Sequence, residues 1–159
     1  VILTEHGRQI ALNIIRKHRL WEVWLVNKLN FKWDEVHEIA EQLEHVVSPE
    51  LIEQLDEHLG FPKSDPHGDL IPDAKGRFAK NSSKPLLDHK VGDKTKFIGV
   101  SEHSNSFLQY LTKNNIKLGD ELLIESIEEF DNSFQVKINR KIQKLLSKEV
   151  VKNILVITC

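Results

Sequence analysis

The stretch VHEIAEQLEHVVS, residues 36–48, decides how this chain is read, because it assigns two jobs to one short helix. At about 100° per residue, Val36, Ile39, Ala40, Leu43 and Val47 share one side, while His37, Glu41, Glu44 and His45 cluster on the other. The first set is a core face. The second suits neither a core nor an ordinary solvated face, which is more often built from Lys and Glu.

On the N-terminal side, TEHGRQIALNIIRKHRLWEVWLVNKLN (4–30) opens with Thr4 as an N-cap and spaces Ile10, Ile14, Ile15, Trp21, Trp24 and Leu25 as a long helix does. Apolar residues lie on more than one side of this helix, which predicts self-association as a homodimer. His18 and Glu22 stand at i and i+4 on one face, within reach of His37 on the next helix.

On the C-terminal side, SPELIEQLDEHLG (48–60) reads as a third helix, with Ser48 as cap, Pro49 at the first helical position and Gly60 as stop. Residues 61–85, rich in Pro, Gly, Asp and Ser, read as a linker. Short alternating runs follow, KFIGV, ELLIESI, FQVKI and NILVIT, with a helical interlude at NSFLQYLTKN. The fold class is therefore α+β. A helical dimerisation and metal-binding domain spans 4–60, and a small, curved β-barrel spans 86–159.

Composition excludes several classes. The net charge of −2 in 159 residues offers no basic field for nucleic acid. No apolar run approaches the roughly 18 residues that span a bilayer. The lone Cys159 cannot pair within the chain, which fits a reducing, cytoplasmic setting. The chain starts at Val1 and has no Met, which leads us to expect a fragment of something longer.

Imidazole and carboxylate together suit divalent transition metals, and i, i+4 spacing lets a rigid helix present several ligands at once. The pattern HEIAE has Glu41 where a zinc protease helix needs its second His, so H-E-x-x-H chemistry is rejected. His6, His58, His67 and His89 fall in capping, exposed or loop contexts and read as non-ligands. Two alternatives stand beside a metal sensor. One is a carboxylate-bridged di-metal enzyme of the ferritin-like type, which needs Glu and Glu-x-x-His from four helices. The other is a structural interaction domain whose His and Glu are merely solvated.

LTEHGRQIA, RKHRLWE, VHEIAEQLEHVVS and DPHGDLIP, in that order, resemble the diphtheria toxin repressor family of metal-dependent transcriptional regulators, which includes iron and manganese sensors. FLQYLTKNNIKLGDELLI resembles that family's C-terminal FeoA-like domain, a Src-homology-3-like barrel. The resemblance implies an N-terminal winged helix-turn-helix that this chain does not contain, residues 1–3 being the remnant of its wing. It implies no enzyme. It implies a repressor that is a homodimer and binds operator DNA only as the full-length protein.

The resemblance also implies two metal sites. One uses His18, Glu22 and His37, completed from the barrel by Glu102 and Asn105 in SEHSNSF, with His103 a substitute. The other uses Glu41, Glu44 and His45, plus ligands from the absent N-terminal helix, and is expected to be incomplete. Glu41 stands where iron-sensing members carry Cys. A hard carboxylate in place of a thiolate turns the site toward Mn²⁺, with Fe²⁺ second, although affinity order alone favours later metals.

Overall fold

Helix α1 (Glu5–Leu29) starts where the Thr4 hydroxyl accepts the Gly7 N–H at 3.1 Å, and it stops where Asn30 turns left-handed at φ 58°. The computed structural model describes residues 3–159, so the expected wing remnant at Val1 and Ile2 lies outside the described residues. The chain divides into two folded units, Val1–Lys80 and Asn81–Cys159.

In the first unit, Leu20, Trp21, Val23 and Leu25 of α1 form a core with Val36, Ala40, Ile52, Leu55 and Ile71. Each such apolar side chain contributes about 1.5–3 kcal/mol on burial. Trp21 and Leu25 are thus covered within one chain, and Trp24 is partly covered. The large apolar residues of α1 left exposed are Ile10 and Ile14, nearer its N-terminus, and Leu29 at its last position.

Helix α2 (His37–Leu43) is shorter than the two-faced pattern within residues 36–48 predicts. The helix ends at Leu43 with Glu44 as its C-cap, so Val47 does not join the core face, and Ser48 is extended at φ −148° ahead of Pro49. Val36 and Ala40 are wholly buried as expected, whereas Val47 is 92% exposed. Helix α3 (Pro49–His58) has the expected cap, the Ser48 hydroxyl accepting the Leu51 N–H at 3.3 Å, and Gly60 supplies the left-handed turn after it.

The segment after α3 packs back onto this unit instead of standing apart. Asp65, His67 and Ile71 are buried, and Ser64 pairs with Leu70 in a small antiparallel bridge. Arg16 on α1 closes the unit with a salt bridge to Asp56 of α3 at 2.8 Å.

The second unit is a six-stranded antiparallel sheet: β1 (Lys84–Pro85), β2 (Lys94–Val100), β3 (Glu121–Ile127), β4 (Phe134–Ile138), β5 (Ile142–Leu146) and β6 (Ile154–Thr158), in spatial order β1-β6-β2-β3-β4-β5. Register shifts between Phe97 and Gly99 and between Ile124 and Ser126 are bulges, which bend the strands they occupy. Helices α4 (Asn105–Lys113) and α5 (Lys148–Asn153) accompany the sheet. Phe97, Leu108, Leu111, Leu122, Ile124, Phe134, Val136 and Ile154 are almost wholly buried within this unit. Among the described residues, no helix is long and apolar enough to cross a membrane.

Candidate metal centre

Glu22 is the anomaly from which the site is built. It lies between Trp21 and Val23 on the buried part of α1, and its side chain is only 3% exposed. A buried carboxylate needs charged or hydrogen-bonding partners, and Glu22 finds them on both of its oxygens. Oε1 meets His18 Nε2 at 3.1 Å, one helical turn earlier, and His37 Nδ1 at 3.6 Å. Oε2 faces His67 Nδ1 at 3.6 Å.

His37 is the first residue of α2, held by Val36 and Ala40 where they pack against α1. It brings Nδ1 to 3.1 Å from His18 Nε2, with the two rings 4.8 Å apart. Three donor atoms therefore stand 3.1, 3.1 and 3.6 Å from one another. Donors about 2.1 Å from one cation are roughly 3.0 Å apart at right angles and about 3.4 Å apart at the tetrahedral angle, so this triangle fits one face of a metal's coordination shell. His37 is 70% exposed and leaves the open side toward solvent.

The far nitrogen of His18, Nδ1, donates to Glu44 Oε2 at 2.7 Å. A carboxylate behind a histidine fixes its tautomer and makes the other nitrogen a better ligand, as around many protein metals. Burial works against a charged His18, but the hydrogen bonds and charges of Glu22 and Glu44 outweigh it and raise its pKa above 6.5. Burial likewise opposes ionisation of Glu22, and its bonds to His18 and His67 hold it well below the usual carboxylate range. The two carboxylates thus bias His18 toward its protonated form.

A second grouping, Glu22, Asp65 and His67, is buried throughout and shares Glu22 with the first. The Asp65 Oδ1 atom accepts the N–H groups of His67 at 2.8 Å and Asp69 at 3.0 Å, in a turn that Gly68 allows with φ 90°. His67 Nε2 donates to the Trp33 carbonyl at 2.8 Å, which turns Nδ1 toward Glu22. Burial first, and then the charge of Glu22, push Asp65 up to about 7. Burial lowers and the Glu22 carboxylate raises the pKa of His67, with a net rise.

Of the residues proposed from sequence, the fold brings His18, Glu22 and His37 together and adds Glu44 through His18. Glu41 on α2 and His45 just after it are exposed and stay outside both groupings. Glu102 and Asn105 belong to the second unit. There Glu102 Oε1 accepts the Ser104 N–H at 2.8 Å, and Asn105 begins α4. His67, set aside from sequence as a loop residue, is buried at 3% exposure, and Asp65 was not considered. The signal for both was the Asp-Pro-His-Gly turn that opens DPHGDLIP.

Comparison with known proteins places both units. Residues 4–73 match the metal binding and dimerisation domain of iron-dependent repressors, and residues 84–158 match the FeoA domain. A solved manganese-dependent transcriptional repressor in complex with manganese superposes with a TM-score of 0.94 at 37% identity, covering 100% of this chain and 76% of that one. The iron-dependent repressor IdeR of Mycobacterium tuberculosis is 43% identical over 70 residues, 44% of this chain and 30% of that protein. A probable metal transport system membrane protein of Chlamydia trachomatis is 46% identical over 70 residues, 44% of this chain and 16% of that protein. The chain thus matches less than a third of the length of either curated relative. With its helical unit matched to one domain of these regulators and its sheet to the other, the chain belongs to the iron-dependent repressor family of metal-dependent transcriptional regulators.

Proposed function

We propose that this chain is the metal-sensing and dimerisation part of a manganese- or iron-dependent repressor, and that His18, Glu22 and His37 hold the sensed cation. The observation that carries this reading is the convergence of three donor atoms from two packed helices at separations of 3.1–3.6 Å. When bound, the metal supplies a positive charge that ties α1 to α2. The chain's own residues do the rest. Glu44 orients His18, the bonds from His18 and His67 keep buried Glu22 ionised and aimed, and exposed His37 closes the third corner.

The mechanism is linkage. A cation that binds the DNA-competent arrangement more tightly shifts the population toward it, and no side chain here is asked to make or break a bond. The donors are nitrogen and oxygen without thiolate, which suits Mn²⁺ first and Fe²⁺ second when availability sets the choice. We assign no tight cation to Glu41, Glu44 and His45 in this chain.

We also read the chain as a homodimer of a cytoplasmic regulator. Ile10 and Ile14, one turn apart on α1 and 47% and 38% exposed, are the apolar surface that a second copy would cover. Operator DNA belongs to the whole protein, through a winged helix-turn-helix. Anomalous scattering from Mn²⁺-soaked crystals tests the site, with a peak expected between His18, Glu22 and His37. A peak on exposed carboxylates alone would sink the assignment.

A further inference from the structure

Asp65 and His67 reach Glu22 from a loop far along the chain, and nothing in their local sequence obliges that loop to lie on α1. Besides buried Ile71 and the His67 contacts, one polar clamp ties it there: Arg19, the neighbour of His18. Its guanidinium donates to the Leu70 carbonyl, donates to Asp69 Oδ2 at 3.3 Å and lies 3.6 Å from Asp65 Oδ2. The Asp65 side chain is only 2% exposed and Glu22 only 3%, so two buried carboxylates sit beside one another. Such a pair needs positive charge nearby. Arg19 supplies it from the loop side, and its planar fork engages side chain and backbone at once as a lysine cannot.

We propose that Arg19 is a positioning residue that stands in for a cation: in the metal-free chain it holds the 65–70 loop, and with it Asp65 and His67, against Glu22. The inference rests on the metal-sensing reading above and deepens it. Asp65 is fixed from two sides, Oδ1 by the backbone N–H groups of His67 and Asp69 and Oδ2 by Arg19. His67 is fixed by the Trp33 carbonyl and stacks on the Trp33 ring at 6.1 Å. The second donor set is therefore held by protein contacts alone, and a cation that binds there need spend none of its affinity ordering a loop.

Hydrogen exchange of the His67, Asp69 and Ile71 amides tests this in the parent chain and in Arg19→Gln, each without metal and with MnCl₂. The parent loop should exchange slowly in both conditions. In Arg19→Gln those amides should exchange about tenfold faster or more without metal and return to slow exchange with Mn²⁺. A metal-free Arg19→Gln loop as protected as the parent's would overturn the proposal, as would a parent loop protected only when Mn²⁺ is present. Failure of bound Mn²⁺ to restore Arg19→Gln would overturn the cation-like role.

The amides of residues 20–25 serve as the control for folding. If Arg19→Gln loses them too, Arg19→Lys and Asp69→Asn carry the test, each expected to loosen the loop partly with α1 intact, and no loosening in either contradicts the clamp. Calorimetry that finds no Mn²⁺ binding to the parent would refute the metal-sensing reading alone, because the metal-free comparison still decides the role of Arg19.

Discussion

His18 donates from Nδ1 to Glu44 Oε2 at 2.7 Å while its Nε2 faces Glu22 and His37. One imidazole thus joins a carboxylate after α2 to the donor triangle between α1 and α2. Glu44→Gln keeps the shape but weakens the acceptor, and Glu44→Ala removes it. We expect Mn²⁺ affinity to fall about 10-fold to 100-fold for Glu44→Ala and less for Glu44→Gln, with the fold unchanged by circular dichroism. Unaltered affinity in Glu44→Ala would show that His18 needs no support from behind.

The legible part of this chain is its local chemistry. Ser48, Pro49 and Gly60 delimit α3 because caps and breakers act within a turn, and His18 with Glu22 could be placed on one face because helical spacing is local. What could not be read depends on long-range closure. That Trp21 and Leu25 are covered within one chain could not be read from α1 alone, because their core also draws Ile52, Leu55 and Ile71 from α3 and the segment beyond it. Asp65 and His67 meet Glu22 through a distant loop that Arg19, Trp33 and buried Ile71 all contact, and no periodicity announces that. Val47 fell off the core face because the helical run ends at Leu43, before reaching it.

Proton linkage gives the metal-free chain a distinctive pH response. Asp65 is raised from 3.8 to about 7, so between those values the folded chain keeps a proton that the unfolded chain has released, and stability falls as pH rises. The raised His18 and His67 act in the same sense, their contribution being complete below 6.5 and lost as pH rises through their folded values. Glu22, lowered from 4.5, acts oppositely, stabilising above that value and losing its contribution as pH falls below it. Melting of the metal-free chain should therefore occur at a lower temperature near about pH 8 than near about pH 6, and saturating Mn²⁺ should reverse the order. A metal-free Tm that rises over that interval would contradict the protonation states assigned here.

Arg16 and Asp56 join α1 to α3 at 2.8 Å with side chains 7% and 14% exposed. Removing one partner strands the other in a largely dry site, so Arg16→Ala should cost about 3–5 kcal/mol in urea unfolding. The double variant Arg16→Met with Asp56→Leu should cost clearly less than Arg16→Ala alone, because no charge is left behind. Equal costs would argue that the attraction itself stabilises the unit.

Self-association should depend on the exposed turn of α1. We expect the chain to sediment as a dimer at tens of micromolar, and Ile14→Asp to convert it to a monomer with helix content preserved. Ile10 and Ile14 are the residues of choice because Trp21 and Leu25 are already buried within one chain. A parent monomer at that concentration, or an Ile14→Asp dimer, would remove this face from the interface.

The central claim is that His18, Glu22 and His37 form the tight site in this chain, and calorimetric titration with Mn²⁺ of the parent, His18→Ala, His37→Ala and Glu41→Ala tests it most directly. The account predicts one tight site per parent chain, abolished in both histidine variants and kept in Glu41→Ala, whose side chain is exposed and outside the donor triangle. Loss of the tight site in Glu41→Ala with retention in His18→Ala would contradict it.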